Sequence, residues 1–169
     1  DALAATAAAV ALVPDLQPSV IAQALQSFKV AGHRGQQVAE ARGIVAIDNS
    51  KATNPHAADS ALAGHDSVIW VAGGQLKGAE VDDLVARHAH RLKAVALMGV
   101  DRNIIRESVE KHAPGVPIFV TDDTDPQSAM DAVCAWAVTQ ASSGDAIVLA
   151  PAAASLDMYT GMGQRGVLF

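Results

Sequence analysis

SVIWVAGG (residues 67–74), with AEVDDLVARHAHRL (79–92) and KAVALMG (93–99) behind it, decides the fold. The first run is nearly all apolar and rich in β-branched residues, the pattern of a strand buried on both faces. The second places Val81, Leu84, Val85 and His88 on one side of a helix, and the third is an apolar strand again. A buried strand, an amphipathic helix and a second buried strand make a parallel crossover unit.

The alternation continues in both directions. RNIIRESVEKHA (102–113) reads as a helix closed by Pro114-Gly115, and PIFVTD (117–122) as a strand. PQSAMDAVCAWAVTQAS (126–142) is a long helix, and DAIVLAP (145–151) a strand. Upstream, Asn54-Pro55 opens a helix through Leu62. QQVAEA (36–41) and GIVAIDN (43–49), joined at Arg42-Gly43, read as a hairpin or bent pair. From Ser155 onward a short helix and an Arg165-Gly166 turn are expected. The fold class is therefore α/β: a three-layer, Rossmann-like, mostly parallel sheet with helices on both faces.

The first thirty residues differ. DALAATAAAVAL (1–12) is a run of helix formers stopped by Pro14, and Pro18-Ser19 opens a helix with Val20, Ile21, Ala24, Leu25 and Phe28 on one face. Residues 1–30 are expected to be the helical tail of a preceding domain, and 31–169 the α/β domain. A chain that opens on Asp1 without methionine reads as a piece of a longer protein.

Composition narrows the function. Half of the 169 residues are hydrophobic and only 18% charged, which excludes a disordered chain. A net charge of −6 argues against a general nucleic-acid binder, which needs a cationic surface to displace counterions. The most apolar stretch, Ala2 to Val13, is mostly alanine and too short to span a membrane, and no cationic leader precedes it. A single cysteine, Cys134, forms no internal disulfide and fits a reducing cytosol.

Ligands of parallel sheets bind beyond the carboxyl ends of the strands, so the loops after Ile47, Val71, Met98, Val120 and Leu149 hold the candidates. Asp48-Asn49-Ser50-Lys51-Ala52-Thr53-Asn54 is dense in hydrogen-bonding groups. Thr53, Lys51 and the following helix N-terminus suit an anion, although Thr53 or Asn54 also reads as an N-cap. In Gly73-Gly74-Gln75-Leu76-Lys77-Gly78 the glycines admit close approach and Lys77 suits a carboxylate or phosphate, or is a surface lysine. Neither a Walker A loop nor a dinucleotide fingerprint occurs. Pro151-Ala152-Ala153-Ala154-Ser155 leaves space at a strand end, with Ser155 read as the N-cap of the next helix. Arg165 either locks the C-terminal segment onto the site or is exposed.

Other groups read as structural. Asp122, Asp123 and Asp125 precede a proline-initiated helix, where acids are favoured. His88 and His90 lie two apart on a helix and point apart, and Cys134 lies on an apolar helix side. No metal site is expected in the chain.

Taken in order, His33-Arg34, Asn49-Ser50-Lys51-Ala52-Thr53-Asn54, Gly73-Gly74-x-x-Lys77, Pro151-Ala152-Ala153-Ala154-Ser155-Leu156-Asp157 and Gln164-Arg165-Gly166 resemble the C-terminal domain of the Mur ligases, on the side of their D-glutamate-adding members. The resemblance runs the length of the chain. It implies an ATP-dependent, amide-bond-forming ligase of peptidoglycan synthesis in the cytoplasm, which activates UDP-N-acetylmuramoyl-L-alanine as an acyl phosphate for attack by the D-glutamate amine. It implies a D-glutamate site at Thr53, Lys77, Ser155 and Met162, and a nucleotide-contacting region at Arg34, Asp48, Asn49 and Lys51. The P-loop, the Mg2+ ligands and the UDP-sugar site of the family belong to domains outside this chain, so no catalytic residue is expected here and the piece alone is expected to be inactive. Two departures stand out: the order is Asp48-Asn49 where the family commonly has Asn-Asp, and Met162 stands where a phenylalanine is frequent. The alternatives are another Mur ligase, folylpolyglutamate synthase, or a non-catalytic Rossmann-type nucleotide-binding module.

Overall fold

The computed structural model describes residues 2–28 and 32–169. The chain divides into two units, 1–31 and 32–169. The junction expected at residues 30 and 31 lies outside the described residues.

In the first unit, α1 (Ala2–Leu12) and α2 (Pro18–Ser27) form a pair of helices, the second opened by Pro18. Neither buries a residue. Between them runs an apolar groove of about 480 Å3, lined by Ala5, Ala9, Val20, Ile21, Leu25 and Phe28 among others.

The second unit is a six-stranded sheet in the order β1-β2-β6-β3-β4-β5. Its strands are β1 (Gln36–Ala41), β2 (Ile44–Asp48), β3 (Val68–Gly73), β4 (Leu92–Met98), β5 (Ile118–Val120) and β6 (Ala146–Leu149). β1 and β2 are the antiparallel hairpin expected, turned by Arg42 and Gly43 at φ 54° and 76°. Two successive left-handed residues match the right-handed strand twist. The other pairings are parallel.

Helices α3 (Pro55–Leu62), α4 (Asp82–His88), α5 (Arg102–His112), α6 (Pro126–Gln140) and α7 (Met162–Leu168) complete the unit. Alternate residues of each strand point to opposite faces. Trp70, Val95, Leu97 and Val148 therefore pack with Leu62, Leu84, Val85, Ile105 and Val109 of α3, α4 and α5. Ile69, Val71, Ala96 and Leu149 pack with Met130, Val133 and Ala137 of α6, joined by Leu168 and Phe169 at the end of α7. Fully buried Trp70 keeps its indole satisfied, donating to Ala150 O at 2.7 Å.

Two local expectations are corrected. Arg165-Gly166 is not a turn but lies within α7. No helix starts at Ser155: its carbonyl accepts from the amides of Met158 and Tyr159 in a turn, and α7 begins only at Met162.

Candidate functional site

The strand order sets the site. The loops after β2 and β3 lead into helices of one face, while the chain after β6 leads to α7 on the other. Because β6 lies between β2 and β3, the paths diverge on both of its sides, which is where α/β sheets open a ligand crevice. Those three loops hold Lys51 and Thr53, Lys77, and Ser155.

Backbone hydrogen bonds zip the loops together. Ala152 N donates to Ala52 O at 3.0 Å, and Gly73 N to Pro151 O at 2.9 Å. Gln75 and Ala154 exchange both bonds, at 2.8 and 2.9 Å, as a single antiparallel bridge. Such approach requires glycine: a Cβ on Gly73 would lie 1.8 Å from Met98 O, and one on Gly74 2.1 Å from Ala154 O.

Arg165 fastens the assembly from beneath. The side chain is fully buried on α7. Its Nε donates to Ser50 Oγ at 3.1 Å and Nη2 to Ser50 O at 2.9 Å. Nη1 donates to Ala153 O at 3.1 Å and Gly73 O at 3.3 Å, so one guanidinium joins all three loops. Burial pulls its pKa down to about 10, opposed by Tyr159, Asp157 and Asp48, and it remains cationic at neutral pH. Ser50 Oγ in turn donates to Met162 O at 2.7 Å. The Met162 carbonyl is thus tied to the loop after β2.

Asp48 lies beneath the loop that follows β2. It is 1% exposed, with Oδ1 accepting from Ser50 N at 2.8 Å and Oδ2 2.5 Å from His33 Nδ1. Both oxygens are committed to the protein, so Asp48 shapes the loop. α7 rests directly on this pair, for a Cβ on Gly166 would come within 2.2 Å of His33 Nδ1. Half-buried Asn49 and Lys51 and exposed Arg34 remain on the outer side.

Asn54, not Thr53, caps α3, its Oδ1 accepting from Ala57 N at 2.9 Å, so the Thr53 hydroxyl lies outside the cap. Lys77 is exposed at φ 55°, and Ser155 is buried at the mouth of its loop. His33, Lys77 and Ala152, three of the non-glycine residues with left-handed backbone, all fall in these segments; such conformations persist where surroundings impose them.

The residues read as structural are so engaged. Asp125 caps α6 through Gln127 N and Ser128 N, Asp122 pairs with Arg102 at 2.6 Å, and Asp123 accepts from Ser128. His88 is buried against Asp59 at 2.7 Å, and burial lifts the half-buried Cys134 thiol to about 11. Among the described residues no group of three or more His, Cys, Asp and Glu is placed to hold a metal ion. Nor is any helix among them long and apolar enough to cross a membrane. The sequence reading singled out nothing in the loop after Met98, yet Asp101 there accepts from Leu76 N at 2.7 Å; a carboxylate at a strand end was the available signal.

A family profile described as "Mur ligase, glutamate ligase domain" matches residues 33–153. The chain belongs to the Mur ligase family. The UDP-N-acetylmuramoylalanine–D-glutamate ligase of Corynebacterium diphtheriae is 66% identical over 169 residues, all of this chain and 35% of that relative. The enzyme of the same name from Corynebacterium efficiens is 60% identical over 169 residues, again all of this chain and 35% of the relative. The chain thus spans about a third of the length of these Mur ligases. Among solved structures, UDP-N-acetylmuramate-alanine ligase from Thermotoga maritima superposes with a TM-score of 0.61 at 17% identity, over 89% of this chain and 33% of that one. At that identity the likeness shows the Mur ligase fold alone.

Proposed function

We propose that the chain is the D-glutamate-presenting and nucleotide-contacting part of a cytoplasmic, ATP-dependent Mur ligase that joins D-glutamate to UDP-N-acetylmuramoyl-L-alanine in peptidoglycan synthesis. The observation that carries this reading is the set of three adjacent strand-end loops, bearing Thr53, Lys77 and Ser155, held in fixed register by Arg165 and by backbone bonds. A substrate with two carboxylates needs a cation and neutral donors at a set separation, with its amine left free to attack. Lys77 and Thr53 take one carboxylate. Ser155 takes the other, with Met162 bordering the site through the carbonyl that Ser50 Oγ holds. Arg34, Asn49 and Lys51 border the nucleotide, and Asp48 acts through the loop it holds. ATP supplies the phosphoryl group that activates the acyl carboxylate; the residues here orient the amino acid. Residues 1–30 are the helical end of the preceding part of the same polypeptide, and Mg2+ belongs to that part. By itself the chain is inactive.

Lys77→Ala in the full-length enzyme tests the reading, with phosphate release measured against D-glutamate, L-glutamate and ATP. The expected result is a rise of about tenfold or more in KM for D-glutamate with KM for ATP little changed, because a charge-assisted contact to one substrate is lost. Equal losses for both substrates, or equal turnover of L-glutamate by the unaltered enzyme, overturn it.

A further inference from the structure

We propose that Asp101 is a positioning residue for Lys77, holding the loop between β3 and α4 in the conformation from which the ammonium meets a substrate carboxylate. The inference deepens the reading above and rests on it.

Asp101 stands immediately before α5, where an aspartate ordinarily accepts from an amide of the first helical turn. Here it makes no such cap. Its Oδ2 reaches back 25 residues to accept from Leu76 N at 2.7 Å. Its own amide donates to Gly74 O at 3.1 Å. One residue therefore grips the lysine loop on both sides of Gln75, and Gln75 is itself bridged to Ala154. A carboxylate diverted from its own helix to a neighbouring loop marks that loop as the part that must not move.

The grip ends where Lys77 begins. Leu76 is 4% exposed, so its side chain is anchored in the core while Asp101 holds its amide. Lys77 follows in the left-handed region, a conformation that a lysine keeps only when its neighbours impose it. With Leu76 fixed at both ends, the direction in which the Lys77 side chain leaves the loop is set before any substrate arrives. That preorganisation is what a carboxylate-binding ammonium on a flexible stem otherwise lacks.

The bracing loop is tied to the third loop as well. Val100 N donates to Asp157 Oδ2 at 2.9 Å, two residues beyond Ser155. A Cβ on Gly99 would come within 2.5 Å of Gly74 N and 2.7 Å of Asp157 Oδ2. Residues 99–101 thus lie against both the Lys77 loop and the Ser155 loop, and Asp101 is their bond to the former.

The test is a double-variant cycle in the full-length enzyme, with KM for D-glutamate, KM for ATP and kcat measured for each form. Asp101→Ala is expected to raise KM for D-glutamate about tenfold, the scale of a lost hydrogen bond to a charged group, with kcat and KM for ATP within about twofold. Asp101→Asn keeps an acceptor oxygen and is expected to restore most of the affinity. In a Lys77→Ala background, Asp101→Ala is expected to change nothing further, because its effect runs through the lysine. Should Asp101→Ala fail to fold, Asp101→Ser supplies α5 with a capping hydroxyl while withdrawing the longer reach to Leu76, and is expected to behave as alanine. Additive losses in the double variant, or equal damage to kcat and to KM for ATP, overturn the proposal. A rise in KM for Lys77→Ala with none for Asp101→Ala overturns the proposal and leaves the substrate reading standing. No rise for Lys77→Ala removes the substrate reading, and the proposal with it.

Discussion

Arg165 concentrates the physical problem of this site in one side chain. A buried guanidinium is costly unless its donors are satisfied, and here the acceptors are the Ser50, Gly73 and Ala153 carbonyls and the Ser50 hydroxyl. Arg165→Met would leave three carbonyls in separate loops without their donor. The expected loss is about 3 kcal/mol or more, read as a lower urea midpoint. Arg165→Lys keeps the charge, but a point ammonium cannot span the three loops, so a loss of about 2 kcal/mol is expected. The sequence left Arg165 either exposed or locking the C-terminal segment; only the fold shows that α7 carries it inward. Gly166 explains the misreading as a turn. Its glycine is required because α7 passes against His33 and Asp48, a tertiary contact that no local pattern encodes. Asp48 was named with the nucleotide-contacting residues, but its bond to His33 was hidden for the same reason, the partner lying fifteen residues upstream.

Among the elements, the strands and their covering helices were legible because each is governed by local periodicity: Val68 to Gly73 is buried throughout, and α3 opens at the expected Asn54-Pro55. The segment after Ser155 was not, since its turn is set by contacts with neighbouring loops. At the opposite end of the strands, Asp145 binds three elements together. It leads β6, accepts from Ser67 Oγ at 2.7 Å just before β3, and pairs with Lys93 of β4. Burial pushes its carboxyl up, but Lys93, Ser67 and Ser142 outweigh that and hold it at about 2. A carboxylate with a folded pKa below its unfolded one stabilises the protein above the unfolded value. That stability drains as pH falls from about 4 to about 2. Asp145→Asn is expected to cost on the order of 1–2 kcal/mol at pH 7 and to flatten the acid limb of the stability curve over that interval, measured by urea melts at a series of pH values.

For the molecule as a whole, the buried hydrophobic residues run from Ile47 to Tyr159, and α1 and α2 contribute none. Residues 32–169, with a core of their own, are expected to unfold in one cooperative step when prepared without the first thirty-one, read by denaturant titration. A peptide of residues 1–31, whose helices of 11 and 10 residues are too short to persist in water alone, is expected to show little helix by circular dichroism.

The place of β6 also dictates a timetable. It is the last strand of the six to leave the ribosome, yet it fills the slot between β2 and β3, pairing Val45 with Ala146 and Val71 with Leu149. Until residue 149 is synthesised, those two strands present bare edges of main-chain donors and acceptors, the kind of surface that recruits other nascent chains. The hairpin and the β3–β5 half must wait for it, and Arg165, which fastens the strand-end loops, arrives later still. Closure of this sheet thus waits for its last-made strand, and slowing elongation before β6 lengthens the interval in which the chain is exposed to aggregation.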